Sequence, residues 1–176
     1  MVSQLKVNEI IKQSGSSVTI GEAGDTITFP SSGTASGIFA STPSAYIQLG
    51  SDQTISNTTW TKVNLDTSNW DTDSGFDSSN YKYTIPTTGK YQINYSAYIS
   101  GIDEGEYCQA RIYKNGSTNN ESFARSYSQN NIEITVGRSY IFSFTANDYL
   151  ELYVYQNSAS NSTCYSEYTA LSISRV

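Results

Sequence analysis

The sequence contains no histidine, one methionine, two cysteines, three prolines and only ten lysines and arginines among 176 residues. Without histidine there is no Ser-His-Asp or Cys-His nucleophile, no imidazole base and no histidine metal ligand. Sixteen acids outnumber the bases, and a net charge of −6 argues against a nucleic-acid surface, because neutralising phosphates takes clustered lysine and arginine. The same sign argues against docking on anionic membranes. No apolar run approaches the roughly 20 residues of a membrane-spanning helix. MVSQLKVNEI lacks a basic region followed by an apolar core, so a secretory signal is not expected.

What the chain has is tyrosine, 15 of them, set among serine, threonine and asparagine. YKYTIPTTGKYQINYSAYIS, residues 81–100, carries the clearest pattern. Tyr81, Tyr83 and Ile85 alternate with polar residues until Pro86, which has no amide hydrogen for a ladder. Thr87-Thr88-Gly89 forms a corner in which Gly89 is expected at positive φ. Tyr91, Ile93, Tyr95, Ala97 and Ile99 then fall on one face of a long strand, with Lys90, Gln92, Asn94, Ser96 and Tyr98 on the other.

The same grammar continues to the C-terminus. AYIQLG and Thr59–Leu65 read as strands, and Asn69–Asn80 as a turn-rich segment. In Glu106–Gly116, Cys108, Ala110 and Ile112 share a face and Asn115-Gly116 marks a hairpin, with 121–129 as the partner strand. Arg138–Ala146 turns Tyr140, Phe142 and Phe144 inward. Tyr149–Gln156 turns Leu150, Leu152 and Val154 inward and Tyr149, Glu151, Tyr153 and Tyr155 outward. About ten such short alternating strands, with no helix, indicate an all-β antiparallel sandwich or barrel.

Residues 1–44 differ. Leu5 and Val7 alternate, and then a nine-residue period appears: Gly15 and Gly24, Val18 and Ile27, Ile20 and Phe29. Each unit is a glycine turn and a short strand, too small to bury its own apolar face. Copies from several chains wrapped around one axis would bury them together, which predicts an oligomer with a β-stalk. A low-complexity arm is the competing reading. Residues 31–45 are rich in small residues and read as a linker, leaving a domain at 45–176.

Chemistry is sparse. Asp103, Glu104 and Glu106, or Asp148 with Glu151, are carboxylate groups in turns, and nothing sets a pair across a cleft at the ~5–9.5 Å a glycosidase needs. No catalytic residue is expected, and the chain is not expected to be an enzyme. Asp71, Asp73 and Asp77 around Gly75 resemble part of a calcium loop, but the glycine and the final acid of an EF-hand are out of place. A solvated turn is the competing reading, and no other cofactor is suggested. The outward tyrosines Tyr149, Tyr153 and Tyr155, with Tyr107, Tyr113, Tyr165 and Tyr168 expected nearby, suit recognition of a sugar or protein. Burial at an oligomer interface would explain them equally.

YTIPTTGKYQINYSAYIS, ARIYKNG, NDYLELYVYQ and a final strand running to the C-terminus resemble, in order and spacing, the jelly roll of complement globular heads and tumour necrosis factor. The closing SEYTALSISRV departs from that family's aromatic-Ser-Gly ending. The resemblance implies two antiparallel five-stranded sheets and a trimer with aromatic side chains on its axis. It also implies that Cys108 and Cys164 lie on opposite sheets at one end of the sandwich, where a disulfide is conceivable; a buried free pair is the alternative. The opening LKVNEI…SGSSVTIGEAGDTITFPSSGTASG is similar to segments of tailed-bacteriophage structural proteins. That resemblance implies attachment to a virion through Leu5, Val7, Val18, Ile20, Ile27 and Phe29, and assembly in the host cytoplasm. The expected partners are further copies of the chain, other virion proteins and a host-surface glycan or protein. Two roles are open: a tail-fibre-like attachment knob, or a capsid decoration or head-fibre protein that strengthens the shell at three-fold positions.

Overall fold

The structure, a computed structural model, describes residues 42–130 and 132–176. The expectations placed on the opening arm, including Leu5, Val7, Val18, Ile20, Ile27 and Phe29, lie outside the described residues.

Thirteen strands follow in order. They are β1 (Ser44–Leu49), β2 (Gln53–Ile55), β3 (Thr61–Lys62), β4 (Leu65–Asp71), β5 (Phe76–Asp77), β6 (Lys82–Thr84) and β7 (Gly89–Ser100). Then come β8 (Tyr107–Lys114), β9 (Ser117–Thr118), β10 (Ala124–Tyr127), β11 (Ile134–Phe144), β12 (Tyr149–Gln156) and β13 (Ser162–Arg175). A 3-10 turn at Asn120–Ser122 joins β9 to β10 and is the only helical segment among the described residues. The first sheet runs β11-β7-β13-β1-β4, with β2 also on β13. The second runs β10-β8-β12-β6-β5, with β3 on β12 and β9 on β8. Two antiparallel sheets of five-strand paths are what the family resemblance implies, and the alternation of the strands fits them. The extra members are strands of two or three residues, too short to show a period.

The core fills the space between the sheets. From the first sheet it takes Tyr91, Ile93, Tyr95, Ala97 and Ile99 of β7, Ile47 of β1 and Leu171 and Ile173 of β13. From the second it takes Cys108, Ala110 and Ile112 of β8 and Leu150, Leu152 and Val154 of β12. Each set sits at alternate positions, as a half-buried strand requires. The Tyr95 hydroxyl lies against the carbonyls of Ala110 and Ser122, so a polar group deep in the core is satisfied and ties β7 to β8.

Segment 81–100 does run strand, corner, strand, with β6 in the second sheet and β7 in the first, so the corner at Thr87–Gly89 carries the chain across the sandwich. Two local expectations are corrected, the first within this segment. Tyr81 lies outside the strand at φ 52°. Gly89 opens β7 rather than adopting positive φ, and its lack of a side chain answers to Arg175, whose Nε would stand 2.7 Å from a Cβ there. A second correction concerns 69–71, which continue β4 instead of turning. By contrast, Asn115 (φ 52°) and Gly116 (φ 73°) form the tight turn between β8 and β9, the geometry Asn-Gly favours. The partner expected at 121–129 is β10, pairing Ala124 with Ala110.

Candidate functional site: two opposed sheet faces

Tyrosine is outward on both sheets, and the two faces differ in chemistry. On the first sheet, β13 carries a bulge: Tyr165 pairs with Tyr98, but Ala170 pairs with Ser96, so Ser166 to Thr169 stand against Ala97 alone. The bulge is pinned at three points. The Asp52 carboxylate accepts from Ser166 N (2.8 Å) and Oγ (2.9 Å). Tyr98 N donates to Thr169 Oγ1 (3.1 Å), and Ser96 Oγ donates to the Tyr168 carbonyl (2.8 Å). The departure of SEYTALSISRV from the family ending falls at this insertion. The bulge raises a hollow of about 630 Å³ lined by Tyr46, Ser96, Tyr98, Thr135, Glu167 and Tyr168. A neighbouring hollow adds Asp52, Glu133 and Tyr165. On this sheet Trp70 is 52%, Ile141 59% and Tyr168 60% exposed.

The second sheet presents a ladder of rings. Its outward positions alternate with the buried Leu150, Leu152 and Val154 of β12 and with Cys108, Ala110 and Ile112 of β8. Tyr113 stacks on Tyr153 with centroids 3.8 Å apart and planes 20° from parallel. Trp60, just before β3, lies 5.5 Å from Tyr155 and 6.4 Å from Tyr113. Tyr107 continues the row, 6.1 Å from Tyr155 and 5.6 Å from Tyr127. These diagonal contacts follow from the register, which pairs Tyr153 with Arg111 and Tyr155 with Gln109. Burial, then the neighbouring Glu151 and Tyr113, raises the Tyr153 hydroxyl above its ordinary value.

Two guanidinium groups lie in this row. Arg111 Cζ is 4.1 Å from the Trp60 ring centroid and 5.2 Å from that of Phe123. Arg125 Cζ is 4.5 Å from the Tyr107 ring. With the Gln109 amide turned to match its partners, its oxygen accepts from Arg125 Nη2 (2.6 Å) and Nε (3.0 Å). Ion pairs among the described residues use lysine: Lys62 with Glu151 (2.6 Å), Lys114 with Asp148 (2.7 Å) and Lys82 with Asp77 (3.9 Å). Neither Arg111 nor Arg125 joins one.

Of the tyrosines singled out from the sequence, Tyr153 and Tyr155 stand in the ladder. Tyr149 lies at its end, under Lys82 Nζ at 5.1 Å. Tyr107 and Tyr113 join them as expected, while Tyr165 and Tyr168 belong to the other face. Sequence reasoning missed Trp60, Arg111, Arg125 and Tyr127. Arg111 shares its strand face with Tyr113, so completing the outward set of β8 would have found it; its cross-strand neighbours were not deducible.

The acids of the turn-rich segment do not converge. Asp71 accepts from the amides of Asp73 (3.3 Å) and Phe76 (2.8 Å). Asp73 accepts from Thr72 Oγ1 (2.5 Å). Asp77 accepts from the amides of Ser79 and Asn80, both at 3.1 Å, and the Asn80 side chain holds its carboxyl below the ordinary value. Each closes its own turn, and no cluster of three metal-ligating side chains occurs among the described residues. Cys108 and Cys164 do sit on opposite sheets, but as free, fully buried thiols rather than a disulfide. No helix among the described residues is long and apolar enough to cross a membrane.

No protein-family model and no curated protein matches the chain. Solved structures do. Murine APRIL aligns over 77% of this chain and 99% of its own, at TM-score 0.59 and 10% identity. A tumour necrosis factor of Spodoptera (S. frugiperda Eiger) aligns over 77% and 92%, at TM-score 0.54 and 13% identity. The globular domain of zebrafish complement 1qA aligns over 74% and 94%, at TM-score 0.52 and 10% identity. At such identities the likeness is one of fold. The described residues form the antiparallel jelly roll of the tumour necrosis factor-like and complement 1q-like domains.

Proposed function

We propose that the chain is a homotrimeric bacteriophage virion protein whose N-terminal segment attaches to the particle and whose jelly roll is a solvent-facing knob for host-surface attachment. The observation that carries the trimer is the outward face of the first sheet. Trp70, Ile141 and Tyr168 are each more than half exposed there, spread over β4, β11 and β13, and Tyr168 lines an open hollow. Exposed apolar side chains of this size mark interaction surfaces, and two further copies packed about a three-fold axis would cover them. The trimer implied by the family resemblance supports the same packing. The similarity of LKVNEI…TASG to virion segments, and its nine-residue period, support the virion context. If the first sheet faces the axis, the ring ladder of the second faces outward and is the surface free to bind.

A capsid decoration or head-fibre protein would use the same trimer and is the second reading. Competition separates them. The purified protein, added to host cells before the parent particle, is expected to reduce adsorption. No competition, together with heads that break at lower temperature when they lack the protein, would reject attachment in favour of decoration.

A further inference from the structure

We propose that Arg111 anchors the carboxylate of an acidic saccharide, and that the ring ladder around it carries the flat faces of the sugar. The inference deepens the attachment reading, on which it rests for the source of the sugar.

Arg111 is unusual among the charged groups of this face. Its Nε is buried and has no hydrogen-bond partner. Its guanidinium lies on the Trp60 ring, and no acid among the described residues pairs with it. The residue as a whole is half-buried, and burying that one N–H without a partner is unfavourable. The neighbouring carboxylate does not relieve it: Glu151 is 8% exposed and bound to Lys62. In a chain of net charge −6, Arg111 and Arg125 thus stand as two cations of one sheet face outside the ion pairs. Charge complementarity points to an anionic partner.

The surroundings select among anions. A planar guanidinium matches a carboxylate with two parallel hydrogen bonds. Stacking covers one face each of Tyr113 and Tyr153, and Arg111 covers one face of Trp60; the remaining faces of the row are negative π surface on which the weakly positive C–H groups of a pyranose can lie. Phenol hydroxyls at the ring ends can donate to or accept from sugar hydroxyls. A peptide adding as a strand would need a free sheet edge, whereas this site lies on the face of paired strands β8 and β12.

Binding of the full-length protein to immobilised hyaluronan, polygalacturonate and polysialic acid tests this, against carboxyl-reduced hyaluronan, neutral dextran and polyglutamate. Saturable binding to at least one acidic polysaccharide is expected, tenfold or more weaker for the neutral polymers and for polyglutamate. Arg111→Met should weaken it at least tenfold with little change in melting temperature, because the lost ring contacts are offset by removal of a buried N–H without a partner. Trp60→Ala should weaken it comparably, and serves if the Arg111 variant does not fold. Failure to bind all three acidic polysaccharides, equal binding to polyglutamate, or full affinity in Arg111→Met and Trp60→Ala would each overturn the proposal. Saccharide binding without competition for particle adsorption would reject the attachment reading and leave this inference standing. Competition for adsorption without saccharide binding would do the reverse.

Discussion

The indole of Trp70 lies on the ring of Tyr46, centroids 5.1 Å apart and 20° from parallel, joining β4 to β1 on the outward face of the first sheet. Trp70 is still 52% exposed in that stack. The pair therefore presents a preformed apolar plate, and tryptophan and tyrosine dominate interface energetics because they cover much area with few torsions. Trp70→Glu should weaken self-association at least tenfold, and Tyr168→Asp should do the same. Sedimentation velocity over a concentration series reads both. Unaltered association in the two variants would move the interface off this sheet.

The two buried thiols should be silent in the native protein. Burial, with the charge of Cys164 adding to it, pushes Cys108 up to about 12, and burial, opposed by the Thr169 hydroxyl and aided by Asp52, pushes Cys164 up to about 11. The thiolate is the reactive form, so a disulfide reagent at pH 8 is expected to label neither until denaturant is added, and then both. A reductant should leave the melting temperature where it is. A lower melting temperature in reductant would show a bridge.

Lys62 and Glu151 test how far the second face depends on a nearly buried ion pair. The Glu151 side chain is 9% exposed and Lys62 27%, at 2.6 Å. Lys62→Met strands a nearly buried carboxylate and should cost about 1–3 kcal/mol, less than a fully buried pair because water still reaches the lysine. Adding Glu151→Leu should recover most of that loss, since two apolar groups leave nothing unpaired. Urea unfolding of the single and double variants measures the difference.

Acid should loosen the end of the sandwich held by Asp148. Partial burial opposes the charged form, but Lys114 and Asn115 and the Thr145 amide outweigh it and hold the carboxyl below its ordinary 3.8. A depressed folded value means the contribution is fully present above the unfolded value and is lost as pH falls through the folded one. Stability should thus begin to decline below about pH 4, and Asp148→Asn should flatten that limb while lowering stability at pH 7. Chemical unfolding at pH 7 and at pH 3 checks both. An equally steep limb in the variant would place the acid sensitivity elsewhere.

How much of this could be read from the sequence follows from the range of the interactions. The inward sets of β7, β8 and β12 were legible because burial imposes a period of two on consecutive residues, and the Asn115-Gly116 turn was legible because its backbone needs those residue types. The destination of Tyr81–Ile85 was not: alternation declares a strand but not its sheet, and β6 pairs with β12 and β5 rather than with β7, its neighbour in sequence. Edge strands such as Thr61–Lys62 are too short to show a pattern. On the candidate site, Tyr153 and Tyr155 were visible as outward positions, whereas Arg111 on Trp60 depends on β3 and β8 meeting the same stretch of β12, a long-range fact. The bulge at Ser166–Thr169 showed only as a departure from the family ending.

The central claim is that three copies share the face built around Trp70, Ile141 and Tyr168. Sedimentation equilibrium of the full-length protein tests it most directly. The predicted mass is three times the chain's 19.3 kDa, falling toward a single chain in Trp70→Glu. A wild-type protein that remains at the mass of one chain at micromolar concentration would contradict it.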